Sequence, residues 1–133
     1  MGFAEDIKRF TEKTNVKMDT VVRKITFDLT SAIVLKTPVD TGLARSNWQV
    51  GIGTRPTGTR ATLDKTGSVS IAEAAQVTAD LKAGSVCFIV NNLPYIMALE
   101  YGSSEQARNP EGMARISVAR FQAIADAAVR SVQ

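Results

Sequence analysis

An apolar stripe at helical spacing opens the chain and stops at a proline. Phe3, Ile7, Phe10, Met18, Val21, Val22, Ile25, Leu29, Ala32 and Ile33 fall at three- and four-residue steps, with Thr14 filling the gap. Glu5, Lys8, Arg9, Glu12, Lys13, Asp19, Arg23 and Asp28 take the other face. Glu5 with Arg9, and Asp19 with Arg23, have the favourable acid-first spacing of four. Thr37-Pro38 ends the helix, because proline disfavours helical geometry in the residue before it. About 34 helical residues at ~1.5 Å each would reach roughly 50 Å. A compact chain of 133 residues has a radius of gyration of only about 14 Å. The helix therefore either breaks, near Thr14-Asn15, or overhangs the domain and needs a partner chain to cover it.

Beyond the turn from Pro38 to Gly42 the period changes. Ser46, Trp48, Val50 and Ile52 alternate with Arg45, Asn47, Gln49 and Gly51, as in a half-buried strand with Trp48 as its largest buried side chain. A long polar loop is expected at about 54–69, rich in Gly, Pro and Thr. Loops of that length are commonly functional or mobile. Ser70-Ile71-Ala72-Glu73 has capping-box spacing for a helix continuing through Ala74, Ala75, Thr78 and Leu81, with Gly84 as its stop. Val86 to Val90 is apolar on both faces, which fits a central strand or one under an interface. A short helix is expected from Tyr95 to Tyr101, ending at Gly102. Asn109-Pro110-Glu111 then starts a last helix whose apolar face is Met113, Val118, Phe121, Ile124, Ala125, Ala128 and Val132. The expected fold is α+β: a long N-terminal helix and a C-terminal helix packed on a small, mainly antiparallel sheet. The pattern shows no repeat and no boundary, so residues 1–133 read as a single domain.

The residue inventory limits the chemistry. The chain has no histidine and one cysteine. That excludes a Ser-His-Asp triad, a Cys-His pair, an imidazole metal ligand and an intramolecular disulfide. No metal or cofactor is expected. Lysine and arginine exceed aspartate and glutamate by 16 to 13, a net charge of +3. That excess is too mild to mark a dedicated nucleic-acid binder. No apolar run approaches the ~18–20 residues of a membrane span. The N-terminus carries Glu5 and Asp6 where a signal peptide is basic and then apolar. The expectation is a soluble intracellular product with no membrane partner and a reduced, buried thiol at Cys87.

Few residues suggest a site. Asp40-Thr41-Gly42 matches the aspartic-protease signature, in which two carboxylates share a proton across a two-fold axis. Such a site needs an apolar strand running into the aspartate, and here a helix and Thr37-Pro38-Val39 precede it. The plainer reading is a turn, with Gly42 at a positive φ. Glu100, Glu105 and Glu111 have no ligand-like spacing and are expected on solvated surface. Arg55, Arg60 and Lys65 in the polar loop suit DNA phosphates or an acidic partner surface. Tyr95 and Tyr101, with Ile96, Met97 and Leu99, read as packing or interface residues.

Three stretches resemble one family. Thr37-Pro38-Val39-Asp40-Thr41-Gly42-Leu43-Ala44-Arg45-Ser46-Asn47-Trp48 is similar to the block that follows the first helix in small minor tail proteins of tailed bacteriophages, the tail-completion or neck family. Asn92-Leu93-Pro94-Tyr95, continuing to Glu100-Tyr101-Gly102, resembles that family's Asn-x-x-Pro-Tyr and Glu-Tyr-Gly block. Ala107 to Met113 resembles the opening of its last helix. The matches come in the family's order.

The resemblance implies a non-catalytic structural protein of the virion tail or neck, made in the host cytoplasm. Its partners would be other copies of itself in a ring, commonly hexameric, together with tail-tube and head-connector proteins. Contact with DNA in the channel would be non-specific. Asp40, Thr41, Gly42, Arg45, Tyr95, Glu100, Tyr101 and Gly102 would build the turn and the subunit contacts. A head-closure or DNA-contacting neck role is the nearest alternative, and a retroviral-type aspartic protease using Asp40 the remote one.

Overall fold

The computed structural model describes residues 2, 4–6, 8, 9, 18–101 and 112–131. It is α+β. Helix α1 (Met18–Lys36) is followed by α2 (Leu43–Ser46), strand β1 (Trp48–Ile52), α3 (Ser68–Thr78), β2 (Cys87–Asn91), α4 (Ile96–Glu100), α5 (Met113–Ala119) and α6 (Phe121–Ser131). The expected break near Thr14-Asn15 and the start of the last helix near Asn109 lie outside the described residues.

Helix α1 organises the core because its apolar stripe serves two clusters. Val21 and Ile25 pack with Ala125 and Ala128 of α6. Two turns further on, Ile33 and Val34 pack with Ala44, Trp48, Leu93, Leu99 and Met113. Burying each Val, Leu, Ile or Met side chain among these is worth about 1.5–3 kcal/mol. Proline ends α1 as expected, at Lys36.

The sheet is one antiparallel pair, with Trp48 opposite Asn91, Val50 opposite Ile89 and Ile52 opposite Cys87. Opposed residues share a face, so Trp48, Val50 and Ile89 face the helices. Gln49, Gly51, Phe88 and Val90 take the other face. The segment between β1 and α3 folds back over that second face. A Cβ at Gly51 would run into the Thr54 carbonyl and lie 2.8 Å from Pro56. Gln49 and Asn92 both donate to the Gly58 carbonyl, each over 3.0 Å. This covering segment is why β2 is apolar on both faces and half-buried throughout. Among the described residues the sheet has two strands, so β2 is not a central one.

Other expectations are corrected. Ser46 belongs to α2, not to the strand, and its hydroxyl bonds the Leu43 and Thr62 carbonyls. Helix α3 begins at Ser68 rather than Ser70, and ends at Thr78 before Leu81 and Gly84. Ser70 lies inside the helix, donating to the Arg45 carbonyl over 2.7 Å, while Glu73 pairs with Arg60. The capping group is Asp64. Its carboxylate accepts from the Val69 N–H at 2.8 Å, the Thr66 N–H and hydroxyl, and the Ser68 hydroxyl. The single C-terminal helix is two, separated at Arg120, whose N–H turns back to the carbonyls of Ile116 and Ser117.

Candidate functional site

The segments 37–48 and 92–101 meet in space. A groove of about 280 Å³ lies between the turn after α1 and helix α4, lined by Pro38, Asp40, Thr41, Gly42, Leu43, Ala44, Tyr95 and Leu99. Its lining is mixed, with Pro38, Leu43, Ala44 and Leu99 beside polar Asp40 and Thr41. Asp40 and Tyr95 stand at the surface, with Tyr95 42% exposed. Partial burial, and then the Asp40 charge, push the Tyr95 phenol above its ordinary pKa. The tyrosine thus stays a neutral donor and acceptor throughout the physiological range.

The walls are held by Arg45. Its guanidinium donates to three carbonyls: Leu35 at 2.8 Å, Thr37 at 3.0 Å and Lys65 at 2.9 Å. The first two lie at the C-terminal end of α1, where carbonyls lack helical partners and a cation is favoured. The third ties in the segment before α3. Gly42 sits at φ 92, with the Asp64–Lys65 backbone where a Cβ would be. Any other residue would be strained and would push that segment away. The Thr41 hydroxyl accepts the Leu43 N–H at 3.3 Å. The Thr37 hydroxyl donates to the Ile33 carbonyl and accepts the Trp48 indole N–H, each at 2.8 Å.

The second block is anchored through Glu100, which is 7% exposed rather than solvated. Its carboxylate accepts the N–H groups of Ala114 at 2.9 Å and Arg115 at 3.0 Å, capping α5. The Arg115 guanidinium pairs with the same carboxylate and lies 4.2 Å from the Tyr101 ring centre. Glu100 is therefore a structural group, while Tyr101 keeps an exposed edge. Gly102, Glu105 and Glu111 lie outside the described residues.

The basic loop trio divides. Arg60 is committed internally: its guanidinium donates to the Ser46 carbonyl at 2.8 Å and pairs with Glu73, while its N–H donates to Asn47 at 2.7 Å. Arg55 and Lys65 are exposed. Sequence reasoning singled out Asp40, Thr41, Gly42, Tyr95 and Leu99, but not that Leu99 and the turn after α1 line one groove. It also missed Asp64, whose Asp-x-Thr-x-Ser spacing carried the capping signal. Cys87 is half-buried, and burial raises its thiol pKa.

Among the described residues, no group of three or more Cys, Asp or Glu is placed to hold a metal ion. No described helix is long and apolar enough to cross a membrane. Asp40-Thr41-Gly42 lies between two helices rather than at the end of a strand. Comparison with protein-family models, curated proteins and solved structures finds no match.

Proposed function

We propose that this chain is a structural protein of a tailed-bacteriophage virion, a tail-completion or tail-terminator component that joins the tail to the head connector as a ring. One observation carries the reading. Two blocks that resemble the family are far apart in sequence, yet their described parts, 37–48 and 92–101, meet at the groove. Gly42 lines it, Arg45 ties the turn to the end of α1, and Glu100 anchors the end of α4 to α5. Asp40, Thr41 and Tyr95 are left exposed along it, as a contact surface requires. The neighbours are further copies of the chain, the tail tube and the head connector.

A head-closure role with DNA contact draws support from Arg55 and Lys65 alone, because Arg60 is bound within the fold. Labelling intact virions of the encoding phage with an antibody to this chain tests the main reading. Label at the head–tail junction is the expected result. Label elsewhere on the particle, or none, overturns it. Replacing Asp40 by Ala and following self-cleavage tests the protease alternative, and no change is expected.

A further inference from the structure

The unused feature is the outer edge of β2. The Gly53 N–H donates to the Val86 carbonyl over 2.8 Å. With the register of the pair, this makes Gly51–Phe88 and Gln49–Val90 the hydrogen-bonded couples. The backbone groups of Cys87, Ile89 and Asn91 therefore point away from β1. Among the described residues, no hydrogen bond reaches those outward groups. Natural edges are blunted by lysine, proline or a bulge. Cys87-Phe88-Ile89-Val90-Asn91 has none of these and no charge.

We infer that β2 is a pairing edge for β2 of a second copy of this chain, related by a two-fold axis through Ile89. The match is set by the register. The outward residues 87, 89 and 91 are symmetric about Ile89, so an antiparallel copy places Cys87 opposite Asn91, Ile89 opposite Ile89 and Asn91 opposite Cys87. Each couple then exchanges both N–H to carbonyl bonds. An uncharged strand meets itself without like-charge repulsion. A two-stranded pair, marginal alone, becomes a four-stranded sheet. The edge of β1 is no competing site, because Trp48 and Val50 are each only 6% exposed. The contact is isologous and closes at two copies, so it cannot propagate a ring and stands apart from the tail-completion reading.

Amide hydrogen exchange on the unmodified chain, followed from micromolar to millimolar concentration beside light scattering, tests the pairing. Phe88 and Val90, bonded to β1, are protected at every concentration. The Ile89 amide exchanges fast when dilute and becomes protected as the mass doubles. Cys87→Pro removes an outward N–H at the first residue of the strand, where proline is tolerated. It raises the dimer dissociation constant about tenfold or more. A chain that stays monomeric at millimolar concentration overturns the proposal. So does a dimer in which Ile89 exchange is unchanged, or a folded Cys87→Pro variant that dimerises as well as the parent. These readouts leave the virion-labelling result untouched, so either idea can fail alone.

Discussion

The indole of Trp48 and the hydroxyl of Thr37 are joined by a buried 2.8 Å hydrogen bond, and that hydroxyl in turn donates a hydrogen bond to the Ile33 carbonyl. The end of α1 and the start of β1 are thereby fixed to each other through one oxygen. Thr37→Val keeps the shape and removes the oxygen, leaving the indole N–H buried without a partner. A loss of about 1–3 kcal/mol in urea unfolding is expected. Thr37→Ser, which keeps the hydroxyl, should lose less.

Glu100 and Gly112 form a second coupled pair. Gly112 holds φ 78, and a Cβ there would collide with the Glu100 carboxylate. Gly112→Ala should therefore unfold more readily than Glu100→Gln, which keeps one acceptor oxygen for the Ala114 and Arg115 N–H groups. Glu100→Gln should cost about 1–3 kcal/mol, since hydrogen bonds to a charged group are lost. Paired denaturation curves give the order.

Asp64 makes stability respond to acid. The Thr66 hydroxyl, the largest cause, and the Val69 N–H hold its carboxyl well below the usual carboxylate range. An unfolded aspartate takes up its proton near 3.8. Below that pH the unfolded chain binds more protons than the folded one, so stability falls with pH. Melting curves of the parent and Asp64→Asn should differ by a constant amount at neutral pH. The gap should narrow once pH drops below about 4.

Arg60 and Arg55 separate structure from surface. Arg60→Ala breaks the pair with Glu73 and the bond to the Ser46 carbonyl, and should cost about 1–2 kcal/mol. Arg55→Ala should change stability by no more than about 0.5 kcal/mol. Equal losses in chemical denaturation would contradict this division.

Much of the fold was readable because it is local. Pro38 marks the end of α1, and alternation from Trp48 marks β1. What stayed hidden depends on partners distant in sequence. Glu100 looks like surface until residues 114 and 115 arrive beneath it. The 54–69 segment looks like an open loop because its residues are polar. Yet the bonds that fix it come from Ser46, Asn47, Gln49 and Asn92, outside its own span. The break at Arg120 is invisible to periodicity, since α5 and α6 continue the same apolar series on either side.

The fold-back of that segment over the sheet limits where the chain tolerates change in length. A designer trimming residues 54–66 as dispensable would strip the cover from Phe88 and Val90, take away the Lys65 carbonyl that Arg45 binds and remove the Asp64 cap of α3. Insertions belong instead at exposed Gly84, where an added side chain meets nothing within 4 Å, and should spare the Ala83 N–H that the Asp19 carboxylate holds at 2.9 Å.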